Sequence, residues 1–176
     1  MAPRTTQRLL RPEEIEAFFA ILAERIDPRC ELDWETPFDL LVAVVLSAQC
    51  TDQKVNRVTA RLRRLCPAPA DYLALGEARL QEEIRSIGLF RNKARAILGL
   101  CRELLERHGG EVPRTRAELE ALPGVGRKTA NVVLNVAFGQ PTLAVDTHVF
   151  RVANRCGLVR ARSEEHTSEL QSPNTI

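Results

Sequence analysis

The sequence predicts an all-α fold, and three observations carry that reading. Apolar residues recur at three-to-four spacing in one segment after another. Each segment is bracketed by helix punctuation, with proline or a capping side chain at its start and glycine or proline at its end. No stretch alternates apolar and polar residues at period two for long enough to make a strand. The intervening loops are short, so the helices are expected to form one compact unit.

The elements follow in order. "RPEEIEAFFAILAERI" places Pro12 at a helix start with acids in the first turn. "TPFDLLVAVVLSAQ" has Thr36 as cap, Pro37 at the first position and an almost wholly apolar body, which marks a central, buried helix. Thr51 is expected to cap "DQKVNRVTARLRRLC", which Pro67 follows. "GEARLQEEIRSIG" closes on Gly88, and "LFRNKARAILGLCRELLERHGG" closes on Gly109 and Gly110. Thr115 and Glu118 form a capping box for "RAELEAL". "RKTANVVLNVAFG" ends at Gly139 and "DTHVFRVANRCG" at Gly157.

Composition excludes several classes. The chain is 44% hydrophobic and 27% charged, the balance of an ordinary globular protein. No apolar run is long enough to span a bilayer, and the N-terminus lacks the apolar core of a secretion signal. Five scattered cysteines, Cys30, Cys50, Cys66, Cys101 and Cys156, have neither zinc-ligand spacing nor the pattern of a disulfide framework. A reducing cytoplasm is the expected location. The net charge of +2 points weakly to a polyanionic partner. Lys54, Lys93 and Lys128 are the only lysines among 25 basic residues.

Chemistry concentrates in "LPGVGRKTANVVLNVAFG", Leu122 to Gly139. Two helices joined by "PGVG" make a helix-hairpin-helix at 116–138. Gly124 and Gly126 permit unusual φ angles and a close backbone approach. The second helix opens with unpaired N–H groups and a positive dipole end, an arrangement that suits one phosphate. A plain helix–helix turn would use glycine equally well. Lys128 falls in the first turn of that helix. The dipole and partial burial there favour its neutral amine, which could attack a sugar aldehyde carbon and form a Schiff base. A phosphate-binding or solvated lysine is the other reading.

"LPGVGRKTANVVLNVAFGQPTLAVDTHVFRVANR" closely resembles the endonuclease III family of DNA glycosylases with apurinic/apyrimidinic lyase activity. "FDLLVAVVLSAQCTD" and "IRSIGLFRNKA" match two further stretches of the family, so the likeness runs roughly from Thr36 to Arg155. The resemblance implies a helix-hairpin-helix glycosylase fold, a helical barrel beside a second lobe, acting on double-stranded DNA with damaged pyrimidines or abasic sites. It implies that Lys128 is the nucleophile at C1′ and that Asp146 in "VDTH" is its paired carboxylate, although Asp146 is also a good helix N-cap. Gln49 resembles the side chain that fills the gap left by an extruded base, and Leu89 the apolar wedge in the opposite strand; read alone they would be a surface glutamine and a core leucine. Gly124, Val125, Gly126, Arg127 and Thr129 are the expected DNA contacts of the hairpin. Backbone carbonyls of Glu120, Leu122 and Val125 would hold a monovalent cation. The resemblance further implies a monomer in the bacterial cytoplasm, associated with the nucleoid.

The chain departs from that family in one respect. Members usually carry four C-terminal cysteines that hold a [4Fe–4S] cluster, and the five cysteines here lack their spacing, so the cluster is expected to be absent. The last residues, "RSEEHTSELQSPNTI", read unlike the rest; Arg162 to Ser172 is what a common sequencing adapter encodes. The expected organisation is therefore 1–29 as the N-terminal helix of the second lobe, 30–139 as the barrel, 140–161 as the truncated start of that lobe's C-terminal half, and 162–176 as a non-native tail. Two other functional readings stay open: a non-catalytic helix-hairpin-helix DNA-binding module, which would need neither Lys128 nor Asp146, and an inactive truncated fragment.

Overall fold

The computed structural model describes residues 8–27 and 29–160, which form eight helices and no strand. They are α1 (Pro12–Arg25), α2 (Pro37–Ser47), α3 (Asp52–Leu65), α4 (Pro69–Glu83), α5 (Phe90–His108), α6 (Arg116–Ala121), α7 (Arg127–Phe138) and α8 (Thr147–Cys156). The chain divides into two compact units, Cys30–Thr142 and a unit of Met1–Arg29 with Leu143–Ile176. The adapter-like segment 162–176 lies outside the described residues.

The unit of Cys30–Thr142 is built on α2. Every residue from Leu40 to Leu46 is buried, along with Phe38, because α2 packs against α3, α5 and α7 and has no face left for solvent. Burying each such leucine or valine contributes about 1.5–3 kcal/mol. A capping box starts the helix: the Thr36 hydroxyl accepts from the Asp39 N–H at 3.1 Å, and the Asp39 carboxylate accepts from the Thr36 N–H at 3.0 Å. In α3 the core face is Val55, Val58, Thr59 and Leu62. Thr51 stands at the N-cap of α3, but its side chain makes no capping hydrogen bond, contrary to the expectation from sequence.

Two other local expectations also need correction. The α4 region begins at Pro69, seven residues before the predicted start, and Gly76 (φ 78°) breaks the helix in the middle. Pro69 at the first position and Asp71, whose carboxylate accepts from the Ala68 N–H at 2.9 Å, nucleate the extra turns. At α6, the Thr115 hydroxyl accepts from the Glu118 N–H at 3.4 Å, while the Glu118 carboxylate accepts from that same hydroxyl rather than from the backbone.

The hairpin rests on α5. A Cβ on Gly99 would lie 3.1 Å from the Pro123 ring, and one on Gly124 would lie 2.7 Å from the Ala96 Cβ. Small residues on α5 thus admit the "PG" of the turn.

In the other unit, α8 begins at Asp146 and ends at Gly157 in the left-handed region. The Gly157 carbonyl accepts from the Leu10 N–H at 2.8 Å, and a Cβ on Gly157 would meet the Arg8 carbonyl oxygen at 2.6 Å. This close approach requires glycine. Helix α1 buries none of its residues completely, and Phe19, Ile21, Ile26, Leu143 and Val152 are exposed.

Candidate functional site

The turn between α6 and α7 uses its two glycines differently. Gly124 has φ 77° and is packed against Ala96, so the protein's own interior demands it. Gly126 is the N-cap of α7 with φ −95°, and a Cβ there would meet nothing within 4 Å. Nothing inside the free protein requires glycine at 126. Between them the Val125 side chain is buried at 6% exposure, and its N–H donates to the Leu122 carbonyl at 3.1 Å. Val125 is therefore an anchor whose side chain faces the core. Gly126 offers no side chain to cap the first-turn amides of α7. The Arg127 guanidinium lies 3.7 Å from the Glu120 carboxylate, bridging the two helices of the hairpin.

Lys128 stands in the first turn of α7 and is exposed, not partly buried as the sequence reading had it. Position 128 faces away from the buried stripe of Ala130, Asn131, Val133 and Leu134. Lys128 and Thr129 line a cavity of about 270 Å³ together with Ser47, Ala48 and Gln49 from the end of α2. Residues 79 apart in sequence thus share one recess, with Leu32, Val44 and Val132 supplying its apolar wall.

Gln49 and Leu89 have a property in common. Among the described residues they are the two non-glycine residues with positive φ, at 56° and 57°. Such conformations are costly for residues with a Cβ and concentrate at functional loops. Gln49 is exposed, and Leu89 is 60% exposed, so the structure excludes a core leucine at 89. Their loops adjoin: a Cβ on Gly88 would lie 3.9 Å from the Gln49 carbonyl oxygen.

One residue of this region was missed by the sequence reading. Lys93, on α5, is only 7% exposed. Its amine donates to the Leu46 carbonyl at 2.9 Å and the Ala48 carbonyl at 2.5 Å. Burial pushes that amine below its ordinary pKa, with the neighbouring Cys50 acting in the opposite direction. The signal was present, because Lys93 falls on the apolar stripe of α5 with Ile97, Leu100 and Leu104.

Asp146 belongs to the other unit and is the N-cap of α8. One carboxylate oxygen accepts from the His148 and Val149 N–H groups, both at 2.9 Å. The capping role read from sequence is present in the structure, and the residue is half-buried.

With this geometry in view, comparison with known proteins is direct. Residues 42–173 match the model of the HhH-GPD superfamily base excision DNA repair proteins. The chain belongs to the endonuclease III family. It is 55% identical over 142 residues to endonuclease III of Escherichia coli (strain K12), covering 81% of this chain and 67% of that protein. It is 60% identical over 131 residues to endonuclease III of Bacillus subtilis (strain 168), covering 74% of this chain and 60% of that one. Among solved structures, a trapped endonuclease III–DNA covalent intermediate superposes with a TM-score of 0.87 at 50% identity, covering 96% of this chain and 79% of that one. By family this is a base-excision-repair DNA glycosylase with the helix-hairpin-helix glycosylase fold.

The endonuclease III family is known for a [4Fe–4S] cluster, which requires four converging thiolates. Cys30 is exposed, Cys50 and Cys156 are half-buried, and Cys66 and Cys101 are buried. Among the described residues no three His, Cys, Asp or Glu side chains are grouped to hold a metal. The described cysteines do not fit the cluster, and none of the chemistry below passes through it. Among the described residues no helix is long and apolar enough to cross a membrane.

Proposed function

We propose that this chain removes oxidised pyrimidines from double-stranded DNA and cleaves the resulting abasic site through a Schiff base at Lys128. The observation that carries this reading is the placement of Lys128. It is exposed in the first turn of α7, two residues past Gly126, and it opens into the recess it shares with Gln49. Likeness to an endonuclease III captured as a covalent DNA intermediate supports it.

The chemistry follows from the groups. The first-turn amides of α7 and the dipole at Gly126 attract one backbone phosphate. Arg127 and Thr129 flank that position. The Lys128 amine attacks C1′ of the damaged nucleotide, and the glycosidic bond breaks with its electron pair leaving on the base. Loss of the amine proton and opening of the sugar ring give the Schiff base. That imine acidifies the C2′ protons, so removal of one expels the 3′ phosphate by β-elimination. Asp146 is the carboxylate that stabilises positive charge developing on the sugar and moves protons. Gln49 fills the space left by the extruded base and Leu89 wedges the opposite strand, since extrusion costs a few kcal/mol that such plugs offset. The carbonyl oxygens of Glu120, Leu122 and Val125 would hold a monovalent cation, for which backbone carbonyls are suited donors, and the cation would stiffen the turn. We place the enzyme, as a monomer, with the nucleoid in the bacterial cytoplasm.

Borohydride trapping tests the reading. The full chain is incubated with a duplex containing thymine glycol and reduced with sodium borohydride. A covalent adduct that disappears in Lys128→Ala is expected. A chain that gives no adduct overturns the lyase reading. Lesion-independent binding without an adduct would favour a non-catalytic DNA-binding module.

A further inference from the structure

We propose that Lys93 is a positioning residue for lesion recognition, fixing Gln49 and Leu89 in their left-handed conformations as one rigid unit. The proposal rests on the reading of Gln49 and Leu89 as the side chains that enter the duplex.

The C-terminus of α2 has an unusual problem. Helices of this kind commonly end on a glycine in the left-handed region, with basic side chains nearby to satisfy the last carbonyls. Helix α2 has no basic residue in its last turn, and its C-cap is Ala48. The left-handed position after the cap is occupied by Gln49, which has a Cβ. Lys93 supplies from another helix what the local sequence omits. Its amine binds the Leu46 carbonyl, inside the last turn, and the Ala48 carbonyl, which directly precedes Gln49. The Ser47 carbonyl accepts from the Cys50 N–H at 2.9 Å, closing the turn on the far side of Gln49.

The same residue also holds Leu89. The backbone N–H of Lys93 donates to the Leu89 carbonyl at 3.0 Å, the first helical hydrogen bond of α5. Leu89 is the left-handed N-cap of that helix, with no capping side chain. A single residue thus bonds the carbonyl preceding one strained position with its side chain and the carbonyl of the other with its backbone. Those two positions are the only non-glycine residues with positive φ among the described residues. Strained φ values persist where surrounding structure over-determines them, and here one residue contributes at both, through its amine at the Ala48 carbonyl and its backbone N–H at the Leu89 carbonyl. Removing that amine would leave two carbonyls without their donor and free the Gln49 loop to relax toward ordinary φ.

Binding to two duplexes tests this. One is undamaged; the other carries a tetrahydrofuran abasic analogue opposite 2-aminopurine, whose fluorescence rises when it is unstacked. In Lys93→Met we expect at least tenfold weaker binding to the lesion duplex, no more than twofold change on the undamaged one, and loss of the fluorescence rise. The Gln49→Ala/Leu89→Ala variant should behave alike, and adding Lys93→Met to it should change lesion binding by less than twofold. Equal weakening on both duplexes, or full additivity, would mean a merely structural role and overturns the proposal. If wild type itself shows no lesion preference, the functional reading fails and takes the proposal with it. A lesion preference that survives Lys93→Met sinks the proposal alone. Should the variant not fold, hydrogen exchange on wild type decides. Segments 46–50 and 88–93 should gain protection together on binding the lesion duplex, and protection of one without the other overturns the coupling.

Discussion

A Cβ on Gly124 would stand 2.7 Å from the Cβ of Ala96, so the first glycine of the hairpin is held in contact with α5. At the second, a Cβ would meet nothing within 4 Å. Gly124→Ala must both adopt φ 77° and displace Ala96, and we expect it to lower stability by about 2–4 kcal/mol. Ala96→Gly in the same chain should recover part of that loss. Gly126→Ala should change stability by less than about 1 kcal/mol, the difference between glycine and alanine as N-cap, yet weaken DNA binding severalfold. Urea unfolding and anisotropy on a duplex measure the two effects. Equal stability losses at 124 and 126 would refute the division of labour.

Asp146 has a structural and a proposed catalytic role, and two substitutions separate them. Asparagine keeps a side-chain oxygen for the His148 and Val149 amides; alanine does not. Asp146→Ala should cost about 1 kcal/mol of stability and Asp146→Asn less than about 0.5 kcal/mol. Both should slow borohydride-trappable turnover at least tenfold. If Asp146→Asn retains full turnover, the carboxylate is a cap only.

Glu83 is a buried carboxylate held by Arg61 at 2.7 Å and Arg79 at 2.8 Å. Its partners are half-exposed, so the penalty for breaking the group is moderated by solvent. Glu83→Ala should destabilise the protein by about 2 kcal/mol, read from denaturant midpoints. An unchanged midpoint would mean that the arginines find equivalent partners in water.

Acid should weaken the contact between the N-terminal segment and α1. Glu14 accepts from the Arg8 guanidinium at 2.7 Å and from the Arg11 N–H at 2.8 Å. The Arg8 hydrogen bond, then the Arg11 N–H, hold its carboxyl at about 2, below the ordinary 4.5. A folded pKa below the unfolded one gives stability that is fully present above pH 4.5 and lost as pH falls toward 2. Thermal midpoints of wild type and Glu14→Gln should therefore differ above pH 4.5 and converge near pH 2. A gap that widens on acidification contradicts the assignment.

Much of the helical framework was legible in the sequence because its signals are local. Thr36, Pro12, Pro37, and Gly109, Gly139 and Gly157 state helix ends through backbone geometry that each residue carries with it. The string from Leu122 to Gly139 likewise announced a hairpin with a lysine behind it. What stayed hidden depends on neighbours distant in the chain. A leucine at 89 reads as core until packing leaves it 60% exposed. A glycine at 124 looks like one at 126 until Ala96 comes up against it. Lys93 lies on the apolar stripe of α5, but which carbonyls its amine binds is decided only when the ends of α2 and α5 meet around it. The sequence by itself determined most of the helices, many of their ends and the lysine behind the hairpin. Only the tertiary structure decided which polar group is buried and which apolar one exposed, because burial is set by what packs alongside a residue rather than by the residue.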